Sequence, residues 1–326
     1  MSTAGLERLQ IVGLGLATLD VLLRCEHSER ASRGLGLRDF LLEGGGPVAT
    51  ALAAASKLGA RTGFVGVAGS DLAGECKLDS LRRYGVDLSR VVRRPGPERQ
   101  VILVWVDVAT GERTFTGLPG VMDDAVRPQE LDKDYIIGAD ILHLDGCHGE
   151  AALVAARWMR ESGRKVVFDG AQTRGTVGER TRRLVGCVDV LICGSGFAQA
   201  LTGETETAAA CRAATALGPE IVVQTEGARG SFTASPSGEF PTPAFEVDVV
   251  DTTGAGDVFH GAYLVGLLQG WDPERIAVFA SAVAAMKCMK VGGRAGVGSF
   301  GETVEFLRAR GVDLLGRAGP AAKPGR

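Results

Sequence analysis

Asp251, Thr252, Thr253, Gly254, Ala255, Gly256 and Asp257 put two glycines between carboxylates in seven consecutive residues, and they carry the strongest chemical signal in the chain. Upstream, residues 244–250 alternate, so that Phe245, Val247 and Val249 would share one face of a strand. Downstream, residues 258–268 are apolar almost all round and read as a buried helix. The glycines then fall on a tight turn between a strand and a helix N-terminus. The first amides of a helix have no partner inside it, and the macrodipole adds partial positive charge there. Glycines let such amides approach an anion closely, which makes a cradle for a phosphoryl group. Asp257 stands at the mouth of the cradle. A carboxylate there would repel the anion unless it served a purpose, and accepting the proton of an attacking hydroxyl is such a purpose. The plainer alternative is a tight turn with Asp257 as a helix cap, since short glycine motifs also match by chance.

Elements elsewhere must position this turn. Strand patterns occur near residues 10–15, 62–67, 140–144, 165–169, 189–193 and 220–224, separated by helical patterns such as 151–161 and 205–217. That alternation predicts a mainly parallel sheet covered on both faces. One region breaks the rhythm. Residues 101–106, a turn at 107–111 and residues 112–116 read as a β-hairpin, to which 19–24 and 38–42 add strands. Asp169 ends the apolar run Val166, Val167, Phe168, so it points toward the crevice at the carboxyl ends of parallel strands. Gly45 and Gly46 bend the chain into a helix. His143 and His260 lie in apolar runs and read as core residues, not ligands.

Composition restricts the function classes. The chain has 326 residues and a formal net charge of −3, with no basic run interleaved with aromatics, so nucleic acid is not an expected partner. No apolar stretch is long enough to span a bilayer, and residues 1–10 lack the hydrophobic segment of a signal peptide. Seven cysteines form no Cys-x-x-Cys pair and no zinc-ligand spacing with the four histidines, which fits a reducing, cytoplasmic setting. The Gly-, Ala- and Pro-rich residues 317–326 are expected to be a disordered tail. No Gly-Lys-Ser/Thr follows a glycine-rich turn, which excludes a P-loop kinase. A nicotinamide oxidoreductase is prompted by Gly13-x-Gly15, but Thr18 stands where the third glycine belongs.

The heptad resembles the second signature of the ribokinase (PfkB) family of carbohydrate kinases. Further motifs follow in the family's order: Gly13 and Gly15 then Asp20; Gly44, Gly45, Gly46, Pro47, Val48, Ala49, Thr50; Gly69, Asp71, Gly74; Leu201, Thr202, Gly203; Thr225, Gly227, Gly230; and Gly292, Gly293, Arg294, Ala295, Gly296. The resemblance implies a ribokinase-like α/β three-layer sandwich over residues 1–316. A small β lid would be built near 16–43 and 95–118, closing over the sugar and dimerising edge to edge. An exposed lid edge would itself need covering. The resemblance also implies ATP, Mg2+ and a monovalent cation such as K+, with a small sugar or sugar acid as substrate. By it, Asp257 is the catalytic base and Gly254, Ala255 and Gly256 form the anion hole, ordered by Asp251. Asp20, Gly45, Gly46 and Thr50 contact sugar; Thr225, Gly227, Gly230 and Thr253 contact nucleotide; Asp169 assists the metal indirectly.

Two positions depart from the family pattern. Ala49 replaces a sugar-contacting asparagine, and Gly194, Ser195, Gly196 and Phe197 replace the Asn-Glu-x-Glu that holds magnesium through water. Residues 245–261, 284–288 and 44–50 are most similar to the branch containing sulfofructose kinases. Such an anionic ketose would need a cation near the lid, for which Arg33, Arg38 and Arg113 are candidates. The eroded positions also leave a non-catalytic sugar- or nucleotide-sensing protein as an alternative.

Overall fold

Ile11 and Val12 are both fully buried yet belong to different apolar clusters. Neighbouring strand residues point to opposite faces, so the sheet that holds them is covered on both sides. The computed structural model describes residues 8–25, 36–109, 113–118, 120–121, 123–173 and 175–316. The expected disordered tail, part of the expected hairpin turn, and Arg33 lie outside them.

The strands are β1 (Ile11–Leu14), β2 (Thr18–Cys25), β3 (Leu37–Gly45), β4 (Thr62–Val65), β5 (Val67–Gly69), β6 (Val92–Arg94), β7 (Val101–Asp107), β8 (Arg113–Gly117), β9 (Ile141–Leu144), β10 (Lys165–Gly170), β11 (Val190–Cys193), β12 (Ile221–Thr225), β13 (Ser231–Ser235) and β14 (Gly238–Thr242). The helices are α1 (Pro47–Lys57), α2 (Leu72–Arg82), α3 (Lys133–Ile137), α4 (Gly149–Glu161), α5 (Glu179–Val185), α6 (Phe197–Thr202), α7 (Thr207–Thr215), α8 (Ala255–Leu268), α9 (Pro273–Cys288) and α10 (Phe300–Arg308).

The central sheet runs β14-β13-β12-β11-β10-β9-β1-β4, parallel from β12 to β4 and antiparallel through β13 and β14. One core cluster joins α1, α8, α9 and α10 to Ile11, Ile141, Val167 and Val190; the other joins α3 through α7 to Val12, Leu142, Val166 and Leu191. The result is the expected three-layer sandwich. From β1 the chain first builds β4 on one side, then β9 on the other. The crevice outside the carboxyl ends of β1 and β9 is thus a topological switch point, the usual ligand position in such sheets. Asp145 follows β9 into that crevice and binds the turn after β1, accepting the Leu16 N–H at 2.7 Å.

Over the crevice lies a second sheet of order β3-β2-β7-β8, the expected lid. Three sequence expectations need correction. The run 62–67 breaks at Gly66 into β4 and β5, which join different sheets. The hairpin β13–β14 extends the central sheet where no strand was expected. Residues 244–250 form no strand. β14 ends at Thr242 and the next residue, Pro243, has no N–H to donate to a ladder, and the Val250 and Asp251 amides both donate to the Cys288 carbonyl at 2.8 and 3.0 Å instead. Phe245 packs on Phe306, while Val249 and Val250 face solvent. The glycine turn is entered from an extended segment pinned to the end of α9, and the helix after it begins earlier than its apolar run suggests.

Candidate active site

Gly254 caps α8 with φ +70°, the left-handed region that favours glycine. A Cβ on it would also stand 2.8 Å from the Gly293 carbonyl. Ala255, Gly256 and Asp257 form the first helical turn, where amides lack helical partners. A Cβ on Gly256 would meet nothing within 4 Å, so that side of the turn is open. Asp251 orders the approach. Its Oδ1 accepts the Thr253 N–H and its Oδ2 the Gly292 N–H, both at 2.7 Å. Beneath them the buried Lys287 donates from Nζ to the Asp251 carbonyl at 2.6 Å. Burial alone would raise the Asp251 pKa; the two amides and Lys287 outweigh it and hold the carboxyl below its ordinary value.

The opposite wall comes from the N-terminal third of the chain. Asp20 lies on β2 and accepts the Thr18 hydroxyl at 2.6 Å. On the neighbouring strand a Cβ at Gly45 would run into the Asp20 carboxylate and the Thr18 hydroxyl, so a side chain there would displace them. Arg294 joins the walls from within. It is buried, and its guanidinium donates to Thr50 Oγ1 at 3.2 Å, Ser80 Oγ at 3.0 Å and the Gly45 carbonyl at 2.8 Å. Glu43 makes a second tie by accepting the Gly293 N–H at 3.1 Å. Between the walls is a cleft of ≈ 380 Å³. Its lining unites Asp20, Gly45, Gly46 and Thr50 with Thr253, Gly254 and Asp257, under a roof of Leu22, Ile102, Val104 and Phe115 from the lid.

Asp257 keeps part of its surface in this cleft, but its carboxylate is crowded enough that desolvation dominates. Desolvation pushes its pKa up to about 6; Arg294 and Lys287 oppose the shift, while Asp145 and Asp20 add to it. Burial likewise raises Asp20, moderated by Thr18 and Arg294. Desolvation lowers the Arg294 pKa to about 10, so its guanidinium stays cationic at neutral pH. A carboxylate poised near neutrality beside a helix N-terminus can accept a proton from a hydroxyl and leave the amides to meet the anion.

Thr225, Gly227 and Gly230 do not line the cleft. They follow β12, three strands along the sheet from β9, where residues Gly227–Arg229 make a 3-10 turn. Thr225 Oγ1 donates to the Cys193 carbonyl at 3.3 Å. At the family's magnesium motif, Ser195 Oγ donates to Glu226 at 2.8 Å, and Gln224 and Arg229 also hold that carboxylate. Asp169 is buried in β10 beside His260, and desolvation raises its pKa well above the ordinary value, with Asp257 and Asp145 adding to the shift. His143 and His260 are buried in the core as expected. Arg38 sits on the exposed part of β3, and the side chain of Arg113 lies outside the described residues.

Sequence reasoning missed Glu43 and Asp145, and named Arg294 only as part of the 292–296 loop, without its role in joining the walls. Asp145 carried a usable signal, since it follows the apolar run 141–144 just as Asp169 follows 166–168. Glu43 and Arg294 carried none beyond their neighbouring glycines.

The sequence profile of pfkB family carbohydrate kinases matches residues 9–298. An ATP-dependent ribose-1-phosphate kinase from Halopiger xanaduensis is 31% identical over 291 residues, covering 88% of this chain and 94% of its own. A 5-dehydro-2-deoxygluconokinase from Shouchella clausii is 29% identical over 306 residues, covering 87% and 91%. An Arabidopsis thaliana ribokinase complexed with ribose and ATP shares the fold, with a TM-score of 0.80 at 23% identity over 92% of this chain and 99% of the other. A profile that runs from β1 past the glycines around Arg294, over a cleft joining the two signature turns, places the chain in the pfkB family of carbohydrate kinases.

Proposed function

We propose that the protein transfers the γ-phosphoryl group of ATP to a hydroxyl of a small sugar or sugar acid, with Asp257 as general base. The supporting observation is a carboxylate with a pKa near 6 in the first turn of α8, facing the same cleft as Asp20. In this reading Asp20 and the Gly45–Gly46 main chain orient the sugar, with Thr50 behind them holding Arg294. One sugar hydroxyl is held toward Asp257, whose carboxylate takes its proton as attack on phosphorus begins. The amides of residues 253–257 meet the charge that develops on the transferring group. Thr225, Gly227 and Gly230 hold the adenosine end, toward β12.

Mg2+, when bound, neutralises phosphate oxygens. The segment matching the family's magnesium motif offers it no carboxylate pair: positions 194–197 carry none, and Glu226 is engaged by Ser195, Gln224 and Arg229. These residues fit an ion brought in on the nucleotide and held by its phosphates and water, with Asp169 contributing indirectly. K+ at the loop after α9 is a further element of the reading, as are a homodimer and a cytoplasmic location. Among the described residues no helix is long and apolar enough to cross a membrane.

The cleft favours a neutral polyol over a sulfofructose-type anion. Among the described residues its lining contains Asp20, Glu43 and Asp257 but no lysine or arginine, and its roof is apolar. The adjacent cation, Arg294, is bound to Thr50, Ser80 and Gly45. A panel of neutral sugars, sugar acids, sulfonated sugars and nucleosides, incubated with ATP and read by ADP release, tests this reading. Neutral sugars should turn over best. A sulfonated ketose preferred over every neutral sugar overturns the neutral-polyol reading, and no turnover of any acceptor overturns the catalytic one.

A further inference from the structure

His143 on β9, Asp169 on β10 and His260 on α8 converge in the layer between the sheet and the helices. One ligand atom from each lies within 4.8 Å of the others, and all three residues are buried. The histidines are orphaned. Both ring nitrogens of His143 and Nδ1 of His260 lack a hydrogen-bond partner. The Val167 main chain lies near His143 without meeting hydrogen-bond geometry. His260 Nε2 stands 3.7 Å from Asp169 Oδ1, too far for a hydrogen bond. The contrast with His148 is direct: its Nε2 pairs with the Gly15 carbonyl at 3.0 Å and its Nδ1 accepts the Val126 N–H at 3.2 Å. Buried polar groups are rarely left unpaired, and each such exception calls for a missing partner. A water could serve one nitrogen; a cation between the three residues would take one nitrogen of each imidazole and one carboxylate oxygen at once.

We propose that His143, His260 and Asp169 bind a divalent transition-metal ion of the Zn2+ type. The spacing suits it. Ligand atoms about 2.0–2.2 Å from a tetrahedral ion stand about 3.3–3.6 Å apart; the His260–Asp169 separation is 3.7 Å and all three ligand atoms lie within 4.8 Å of one another, so the set closes inward on binding. Two imidazoles on such an ion hold their ring centres about 5–6 Å apart, and those of His143 and His260 are 5.5 Å apart at 46°. Two imidazoles and one carboxylate select Zn2+, Co2+ or Ni2+ over Mg2+, which prefers all-oxygen sites. The ion would clamp α8, one turn after Asp257, to β9 and β10. The site does not depend on the kinase reading; if it is filled, Asp169 is a ligand here and is not available to assist the nucleotide's Mg2+.

The test uses the full chain, stripped by a chelator and titrated with Co2+ in the absence of nucleotide. Saturation at a single equivalent is expected, with the visible d–d absorption of a four-coordinate nitrogen–oxygen site and no thiolate charge-transfer band. Excess Mg2+ should leave the signal intact, and Zn2+ should displace it. His143→Phe should abolish the signal; because that variant can fail to fold, Asp169→Asn, nearly identical in shape, is measured beside it and should weaken Zn2+ binding by about 100-fold or more. No saturable uptake, a thiolate band, or unchanged affinity in a folded Asp169→Asn variant overturns the proposal.

Discussion

A carboxylate in the first turn of a helix is ordinarily favoured in its charged form by the macrodipole. Asp257 occupies that position in α8, yet its pKa is raised to about 6, because desolvation and the charges of Asp145 and Asp20 outweigh the pull of Arg294 and Lys287. The consequence is a carboxylate ionised at neutral pH but weakly enough held to accept a proton, as the proposed general base must. Asp257→Asn should keep the fold and nucleotide affinity while lowering kcat by about 10²–10⁴-fold; near-normal turnover would remove Asp257 from the mechanism. The sign of the pH dependence follows from the same group. Catalysis needs the ionised form, so kcat/KM should rise with pH through about 6 and then level off. Arg294 lowers this pKa, so Arg294→Gln should move the acid limb to higher pH and Arg294→Lys should leave it near its original place. An acid limb that does not move in a folded Arg294→Gln variant would show that the two charges are uncoupled.

At the scale of elements, the proposed mechanism asks the turn between residue 251 and α8 to hold amides toward an incoming anion. Gly256 makes this testable without damage to the fold, because a Cβ there meets no atom of the protein within 4 Å. Gly256→Val should therefore fold and melt like the parent. Its side chain would fill the space the phosphoryl group needs, and losing aimed amides costs about 2.7–4 kcal/mol of transition-state stabilisation, or about 10²–10³ in kcat. Normal turnover in a folded variant would mean that the turn does not hold the phosphoryl group. This turn was legible in the sequence because its chemistry is local: glycine spacing, a following carboxylate and an apolar helix within one window. The strand expected before it was not, because alternation in 244–250 says nothing about whether a partner strand exists, and β14 ends at Thr242, just before Pro243. Arg294 and Glu43 were illegible for another reason. Arg294 binds Thr50 and Gly45, which are 244 and 249 residues away, and Glu43 binds Gly293, 250 residues away, so only the fold brings them together. The lid strands were readable as a hairpin with two added strands, but not the parallel pairing of β2 with β7 that carries Asp20 over the cleft.

For the whole molecule, the lid is the part that bears on the proposed dimer, because it exposes large apolar side chains. Asp20, Leu22, Ile102, Val104 and Phe115 share its cleft face, and Leu41, paired with Leu22, continues that face toward the edge. Phe40 and Leu42 lie on the other face of β3, which is the edge strand of this sheet. Phe40 is 63% exposed, Leu41 45% and Phe115 59%, so apolar side chains are open to water on both faces of the strand. Exposed apolar patches and unpaired strand edges are both features that association removes. A second copy laid lid against lid would pair the β3 edge and finish the apolar roof above the sugar. The expected state in solution is therefore a dimer, measurable by sedimentation at micromolar protein. The double variant Phe40→Asp with Leu41→Asp should run as a monomer. Because the roof and not the base is disturbed, its KM for the sugar should rise while kcat falls less. A monomeric parent protein, or a double variant that remains dimeric with unchanged KM, would show that the lid edge is not the contact and that the roof over the sugar is complete in one chain.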